Sequence, residues 1–146
     1  MIRKFIYIWI AALFLLSQLP PQAAFGLTVS EEEELSRDIL RYIYRHYEII
    51  DDPVVVEYVN KVGNRIVAAL EDPLFNYRFH VINVDAYNAF AIPAGYIFIN
   101  SGLMAAMDSE EELAGILAHE IAHVNARHIS QQIERSKKKD WASMYS

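Results

Sequence analysis

Apolar residues recur at helical spacing in two stretches that follow an apolar N-terminal segment. In residues 30 to about 50, the apolar positions are Leu35, Ile39, Tyr42, Ile43 and Tyr47. Ser30 and Glu33 match a capping box, and the charges of residues 31–34 are expected to form a solvent-exposed first turn. Residues 54–70 keep a helical period despite their β-branched residues. The pattern therefore predicts two consecutive helices, separated at Pro53.

A change to period-two alternation predicts a small sheet after residue 76. Strands are expected over residues 77–84, over a short extended piece at 88–91 and over Tyr96–Asn100, which follows a turn at Pro93–Gly95. A short helix is expected at residues 103–107. His80 is a lone histidine on the polar side of the first strand, for which a structural role is favoured over metal binding. The order of elements indicates an α+β fold.

The last helix is predicted over residues 109–133. Ser109 is its expected N-cap, and Glu112 completes a capping box. No glycine or proline interrupts residues 116–133, so this part is predicted to be continuous. Its apolar stripe consists of Leu113, Ile116, Leu117, Ile121 and Val124.

This helix contains the sequence H-E-x-x-H at residues 119–123. His119 and His123 are four residues apart on one face, with Cβ atoms about 5–6 Å apart, so both imidazoles can bind one metal ion. Glu120 lies about 100° around the helix from His119. It is therefore placed to accept a proton from an attacking water rather than to bind the metal. An alternative, that the two histidines only pack or form hydrogen bonds, stays open.

Composition restricts the classes of partner and of metal site. The chain has 146 residues, no cysteine and a formal net charge of −6. The length suits one small domain, and the acidic balance argues against a nucleic-acid partner. Without cysteine, any metal site must use histidines and carboxylates.

The N-terminus has the three parts of a secretory signal peptide. Arg3 and Lys4 precede an apolar run at residues 5–16, and Ala24 and Gly26 are small residues at the −3 and −1 positions of a cleavage site. We expect a signal peptide at residues 1–26 and a mature domain at residues 27–146. An uncleaved N-terminal anchor is the alternative. Either way, the expected location is the periplasm or cell envelope.

Three sequence blocks resemble the HtpX/BepA-type zinc metallopeptidases, a family that also contains the CAAX prenyl endopeptidases. The blocks are NAFAIP from Asn88, GYIFINSGL from Gly95 and ELAGILAHEIAHVNARH from Glu112. They are most similar to the periplasmic branch that carries a signal peptide. The resemblance implies a gluzincin-like zincin core with an exposed edge strand before the H-E-x-x-H helix. It also implies one Zn²⁺ per chain, bound by His119 and His123 beside the catalytic Glu120.

The resemblance implies an endopeptidase that cleaves misfolded or misassembled envelope proteins. Its partner would be a peptide or an unfolded protein, and membrane contact would come only through the signal peptide or envelope substrates. Asn88 and Ala89 would contact the substrate, which adds as a strand to the edge of the sheet. Asn88 as a simple turn residue is the alternative. Ala94 replaces a glycine that is usual in the family, which is tolerable unless this position needs positive φ.

The family takes its third zinc ligand from a glutamate on a later helix. After His123, the only carboxylates are Glu134 and Asp140. On a continuous helix Glu134 would lie about 16 Å along the axis from His123, and His128 about 140° around it. His128 is therefore expected to pack beside the ligands rather than to bind the metal. The third ligand is expected to be absent, which predicts the N-terminal part of a longer enzyme with its C-terminal part missing.

Two hypotheses of different classes follow. In the first, the chain is part of a zinc endopeptidase, which the complete H-E-x-x-H favours. In the second, it is a catalytically impaired fragment or a non-catalytic, chaperone-like envelope protein that keeps the peptide-binding edge strand. The missing third ligand favours the second hypothesis.

Overall fold

The computed structural model describes the backbone of residues 27–144 and the side chains of residues 27–136. The predicted signal peptide therefore lies outside the described residues. Among the helices within residues 27–144, none has the length and apolar character needed to span a bilayer. In chain order the elements are α1 (Val29–His46), β1 (Ile49–Ile50), α2 (Pro53–Val67), β2 (Arg78–Ile82), β3 (Ala89–Ile92), a 3₁₀ turn (Pro93–Gly95), β4 (Tyr96–Asn100), α3 (Ser101–Ala105), α4 (Glu110–Asn125) and α5 (His128–Met144).

The first helix begins earlier and ends earlier than its pattern predicts. Thr28, not Ser30, is the N-cap: its side chain accepts a hydrogen bond from the Glu31 backbone N–H at 3.2 Å, and the Glu31 carboxylate accepts one from the Thr28 N–H at 2.7 Å. Both Thr28 and Ser30 have a glutamate three residues later, and the first of the two pairs forms the capping box. The helix ends at His46, and the predicted last turn instead supplies strand β1.

The four strands form one mixed sheet in the order β1-β2-β4-β3. Strand β1 runs antiparallel to β2, β2 runs parallel to β4, and β3 runs antiparallel to β4. Strand β3 therefore lies at the edge of the sheet and, among the described strands, pairs only with β4. The predicted α+β class and the strand at Tyr96–Asn100 are confirmed.

The sheet is covered on both faces. Alternate residues of β4 point to opposite sides: Ile97 and Ile99 pack with α2 and α4, whereas Phe98 packs with Leu40 and Ile43 of α1. All three β4 side chains are fully buried. Helix α4, which carries H-E-x-x-H, therefore packs on one face of a sheet that is buried on both faces.

The prediction that His80 lies on a polar side of strand β2 is wrong. Its ring is half-buried on the α1 face, with its centroid 5.2 Å from that of Phe98. Burial lowers the pKa of His80 below its usual value, and the nearby Arg78 guanidinium lowers it further. The His80 Nε2 atom is buried without a hydrogen-bond partner among the residues that the structure describes.

Helix α2 lies close to strand β2 at Gly63. A Cβ atom at this position would lie 2.5 Å from the ring of Phe79, a buried core residue. We expect Gly63→Ala to lower the free energy of unfolding by about 1–3 kcal/mol, because the ring cannot move without disturbing the core. Urea denaturation followed by circular dichroism would measure the change.

The matched control for this prediction is Gly115→Ala in helix α4. Apart from its chain neighbours and the backbone of its own helix, no described atom lies within 4 Å of a Cβ built on Gly115. This change should leave stability equal or raise it by up to about 1 kcal/mol, because alanine favours helix over glycine. Equal stability of the two variants would contradict the close approach of α2 to the sheet.

Candidate metal site

Helix α4 presents one buried face and one open face. The side-chain oxygen of Ser109 accepts a hydrogen bond from the Glu112 N–H at 3.3 Å, as predicted, whereas the Glu112 carboxylate accepts from the Asp108 N–H at 3.0 Å. The buried residues are Leu113, Leu117, Ile121 and Val124. This stripe packs α4 onto the sheet and leaves His119 exposed and His123 half-exposed. The residues of H-E-x-x-H therefore lie on a fixed helix at the surface of the described part.

The two histidines of the motif converge through the same ring nitrogen. His119 Nε2 and His123 Nε2 are 3.0 Å apart, and their ring centroids are 4.5 Å apart. Two imidazole nitrogens that bind one zinc ion at 2.0–2.1 Å lie roughly 3.3 Å apart when coordination is tetrahedral. The arrangement therefore fits two ligands of one zinc ion.

Glu120 is separate from this pair. It is half-buried and forms no hydrogen bond or ion pair with another described residue. Its carboxylate is therefore not used in hydrogen bonds or ion pairs among the described residues.

The predicted continuous helix over residues 109–133 is wrong. Helix α4 ends at Asn125, Arg127 has φ of 55°, and α5 begins at His128. Left-handed backbone is unfavourable for a residue with a Cβ. The break coincides with contacts of the Arg127 side chain, which forms hydrogen bonds with Glu32 and the Leu27 carbonyl.

Glu32 is the functional-site neighbour that sequence reasoning missed. The first turn of α1 was expected to be solvent-exposed, but Glu32 is 1 % exposed and forms an ion pair with Arg127. The predicted apolar stripe of α1 gave no signal for it, because the buried positions of this helix are Glu32, Ser36, Leu40 and Ile43. Glu32 therefore continues the buried stripe of its helix, where a charge needs a partner.

The helix break brings His128 beside the motif. His128 Nδ1 lies 3.1 Å from His123 Nδ1, on the side of the ring opposite to the nitrogen that faces His119. On a continuous helix, His128 would lie about 140° around the axis from His123, and this contact would not form. His128 thus approaches His123 but not the point where the two Nε2 atoms converge.

Within residues 27–136, no group of three His, Asp or Glu side chains is arranged to hold a metal ion. The predicted distance of Glu134 rested on a continuous helix and no longer applies, although Glu134 does not join such a group. The side chain of Asp140 lies outside the described residues. The loop carboxylates Asp85 and Asp108 are exposed.

The predicted substrate residues lie at the start of the edge strand. Asn88 is exposed, and its backbone is used internally: its carbonyl accepts from the Asn100 N–H at 3.0 Å, and its N–H donates to Ala86. Since hydrogen-bonded and open positions alternate along an antiparallel pair, the backbone groups of Ala89 and Ala91 point to the open edge.

An open apolar groove of about 530 Å³ lies between the loop before β3 and helix α4. Its lining includes Tyr87, Leu103 and Met107 on one side and Gly115 and Ile116 of α4 on the other. Gly115 and Ile116 precede His119 by one helical turn. The groove is therefore continuous with the surface that carries the two histidines.

Ala94, the departure from the family pattern, occupies a position with positive φ. Its φ is 63°, in the left-handed region, and Gly95 follows with φ of 89°. An L-residue in this region costs about 1–2 kcal/mol. Ala94 is buried beside Phe75 and Val124, so contacts of its methyl group offset part of this cost.

Comparison with known proteins identifies the family. Residues 53–145 match the model of "Peptidase family M48". A putative beta-barrel assembly-enhancing protease of Vibrio cholerae is 36% identical over 122 residues, covering 84% of this chain and 25% of the relative. The beta-barrel assembly-enhancing protease of Yersinia pestis is 33% identical over 124 residues, covering 85% and 26%.

A more distant relative comes from a eukaryote. The mitochondrial metalloendopeptidase OMA1 of Schizosaccharomyces pombe is 38% identical over 76 residues, covering 52% of this chain and 23% of the relative. The chain spans about a quarter of the length of the curated relatives it matches. The family predicted from the three sequence blocks is confirmed, and this chain belongs to peptidase family M48.

Proposed function

We propose that this chain is the zinc-binding part of a metalloendopeptidase with a gluzincin-like core. The observation that carries the proposal is the 3.0 Å separation of His119 Nε2 and His123 Nε2 on a helix that also presents Glu120. Membership of peptidase family M48 supports a metallopeptidase, and the donor set supports zinc. We expect one zinc ion per chain.

Each residue of the motif then has one role. His119 and His123 hold the metal through their Nε2 atoms. Zinc, when bound, would lower the pKa of a water molecule and polarise the scissile carbonyl. Glu120 accepts the proton of the attacking water and later donates it to the leaving amine. His128 contacts His123 Nδ1 and orients that ring.

The substrate would bind to the edge of the sheet as an added strand. The outward backbone groups of Ala89 and Ala91 can pair with an extended peptide, and Asn88 lies at the end of this edge. The groove beside Gly115 and Ile116 can take an apolar side chain of that peptide. An extended substrate is thereby held along helix α4, near the histidines.

The names of the bacterial relatives support a substrate class. They are named beta-barrel assembly-enhancing proteases, and we propose misfolded or misassembled envelope proteins as substrates of this chain. The proposed domains are a signal peptide at residues 1–26 and a peptidase domain at residues 27–146, located in the periplasm or cell envelope.

Export gives a direct test of the domain boundary. Because small residues occupy the expected cleavage site, mass spectrometry of the protein expressed in a bacterial host should find a new N-terminus near Leu27. The Ala24→Asp variant should stay full-length and serves as the control. A full-length product in both cases would contradict the proposed signal peptide.

The proposed third ligand is a glutamate from a segment that follows this sequence in related enzymes. Residues 27–146 alone should therefore bind zinc weakly and show little hydrolysis of casein, since a zinc site with two protein ligands is incomplete. The extended chain is residues 27–146 followed by the part of the Vibrio cholerae relative that lies after its matched segment. It should gain zinc affinity and activity together.

Zinc affinity would be measured by competition with a chelator, and activity by release of casein fragments, on both chains. Tight binding of one zinc ion and full activity in the short chain would show that a carboxylate within residues 27–146 closes the site. Asp85 and Asp108 would then be tested first. Peptide binding by the extended chain without hydrolysis would instead support the second hypothesis, a non-catalytic peptide-binding protein.

A further inference from the structure

The break between α4 and α5 is built on an unusual backbone position. Arg127 has φ of 55°, yet its N–H still donates to the Val124 carbonyl at 2.9 Å and its own carbonyl accepts from Gln131 at 3.1 Å. Arginine lacks both the small size of glycine and the short polar side chain of asparagine, which favour this conformation. Contacts elsewhere must hold the backbone there.

Those contacts come from the N-terminal helix. Arg127 Nε donates to Glu32 Oε1 at 2.7 Å, and Nη2 donates to the same oxygen and to the Leu27 carbonyl. Glu32 is 1 % exposed, and a buried carboxylate without a partner would be costly. Both Glu32 and Leu27 precede residue 53, where the match to the family model begins. A helix outside that match therefore holds the end of helix α4.

The consequence of the break is the contact of His128 with His123. The Nδ1 atoms are 3.1 Å apart and the ring centroids 5.2 Å apart. If α4 continued as a regular helix, His128 would rotate away from His123 by about 140°. A partner on Nδ1 fixes the orientation of a ring whose other nitrogen binds a metal.

We propose that the Glu32–Arg127 ion pair is a positioning device for the metal site. It stabilises the left-handed residue that ends α4, which places His128 against His123 Nδ1 and directs His123 Nε2 toward His119. The inference rests on the proposed function for its metal but concerns an arrangement of this chain's own residues. Glu32, Arg127 and His128 are positioning residues.

The test compares two double variants that differ only in the backbone preference at residue 127. Glu32→Gln with Arg127→Gly removes the ion pair but keeps a residue that favours positive φ. Glu32→Gln with Arg127→Ala removes the pair and favours a continuous helix. In both, the glutamine avoids an unpaired buried carboxylate. Long-range ¹H–¹⁵N NMR of the imidazoles in metal-free residues 27–146 reports the contact of His123 with His128.

The glycine variant should keep the wild-type imidazole signals. In the extended chain, its zinc affinity should stay within about threefold of the unmodified value. The alanine variant should change the signals of both rings and lose about 10- to 100-fold in zinc affinity, the usual effect of removing a partner that orients a ligand. Wild-type imidazole signals in the alanine variant would overturn the proposal.

A single variant keeps the test decisive if the alanine variant does not fold. His128→Ala leaves the ion pair intact and should lose the same 10- to 100-fold in zinc affinity, whereas His128→Asn, which can still accept a hydrogen bond from His123, should recover part of it. Unchanged zinc affinity in His128→Ala would overturn the inference. If the unmodified extended chain binds no zinc, the proposed function fails, while the NMR comparison in metal-free residues 27–146 still decides the positioning role.

Discussion

Replacing Glu120 by glutamine in the extended chain is expected to reduce casein hydrolysis by about 10²–10⁴-fold, the usual contribution of a general base. Glutamine has the same shape as glutamate but cannot accept the proton of the attacking water. Zinc affinity should stay near the wild-type value, because within residues 27–136 only His119 and His123 direct ring nitrogens to the proposed metal position. Initial rates with casein and chelator competition would measure the two effects separately.

The matched control for this prediction is Glu111→Gln on the same helix. Glu111 is exposed, and the same change of charge and shape occurs outside the motif. The casein hydrolysis of the Glu111→Gln variant should equal that of the unmodified extended chain. If Glu120→Gln loses zinc as completely as a histidine variant does, Glu120 is a ligand and its assigned role is wrong.

Removal of either motif histidine should abolish tight zinc binding. His119→Ala and His123→Ala each delete one of the two converging nitrogens, so we expect zinc affinity to fall by more than about 100-fold. This exceeds the effect of partners that only orient a ligand, which is about 10- to 100-fold. Casein hydrolysis should be lost with the metal.

His46→Ala provides the control for the histidine variants. His46 is exposed near the end of α1, where its ring stacks on Tyr42. The zinc affinity and activity of the His46→Ala variant should match those of the unmodified extended chain. Retention of tight zinc binding by both motif variants would exclude the two histidines as ligands.

The parts of the site set by local pattern were predictable from the sequence. The stripe from Leu113 to Val124 and the cap at Ser109 place α4, and the motif spacing places His119 and His123 on one face. Strand β4 was predicted with its observed bounds, because its run of apolar residues is buried on both faces of the sheet.

The end of α4 was not predictable in the same way. Ala126 and Arg127 favour a helix by local propensity, and the sequence contains no glycine or proline there. The break is associated with an ion pair between residues 95 positions apart in the chain. Tertiary contacts of this kind override local propensity, and periodicity within one helix does not report them.

One error has a different origin, the multiplicity of capping signals. Thr28 and Ser30 both begin a capping box in sequence, and the choice of Thr28 is visible only with the helix formed. The use of Thr28 as the N-cap matters because it sets the start of the helix, and the buried Glu32 lies in its first turn. Ala94 is a different case: the sequence predicts a cost at this position only if its φ is positive, and the structure has φ of 63° there.

The most direct test of the central claim is the number of imidazole nitrogens bound to zinc. X-ray absorption at the zinc edge of the zinc-loaded extended chain should show two imidazole nitrogens at about 2.0–2.1 Å. The His119→Ala and His123→Ala variants, loaded at high zinc concentration, should each show one. An unchanged imidazole count in both variants, or zinc without imidazole in the unmodified chain, would contradict a metal site built on His119 and His123.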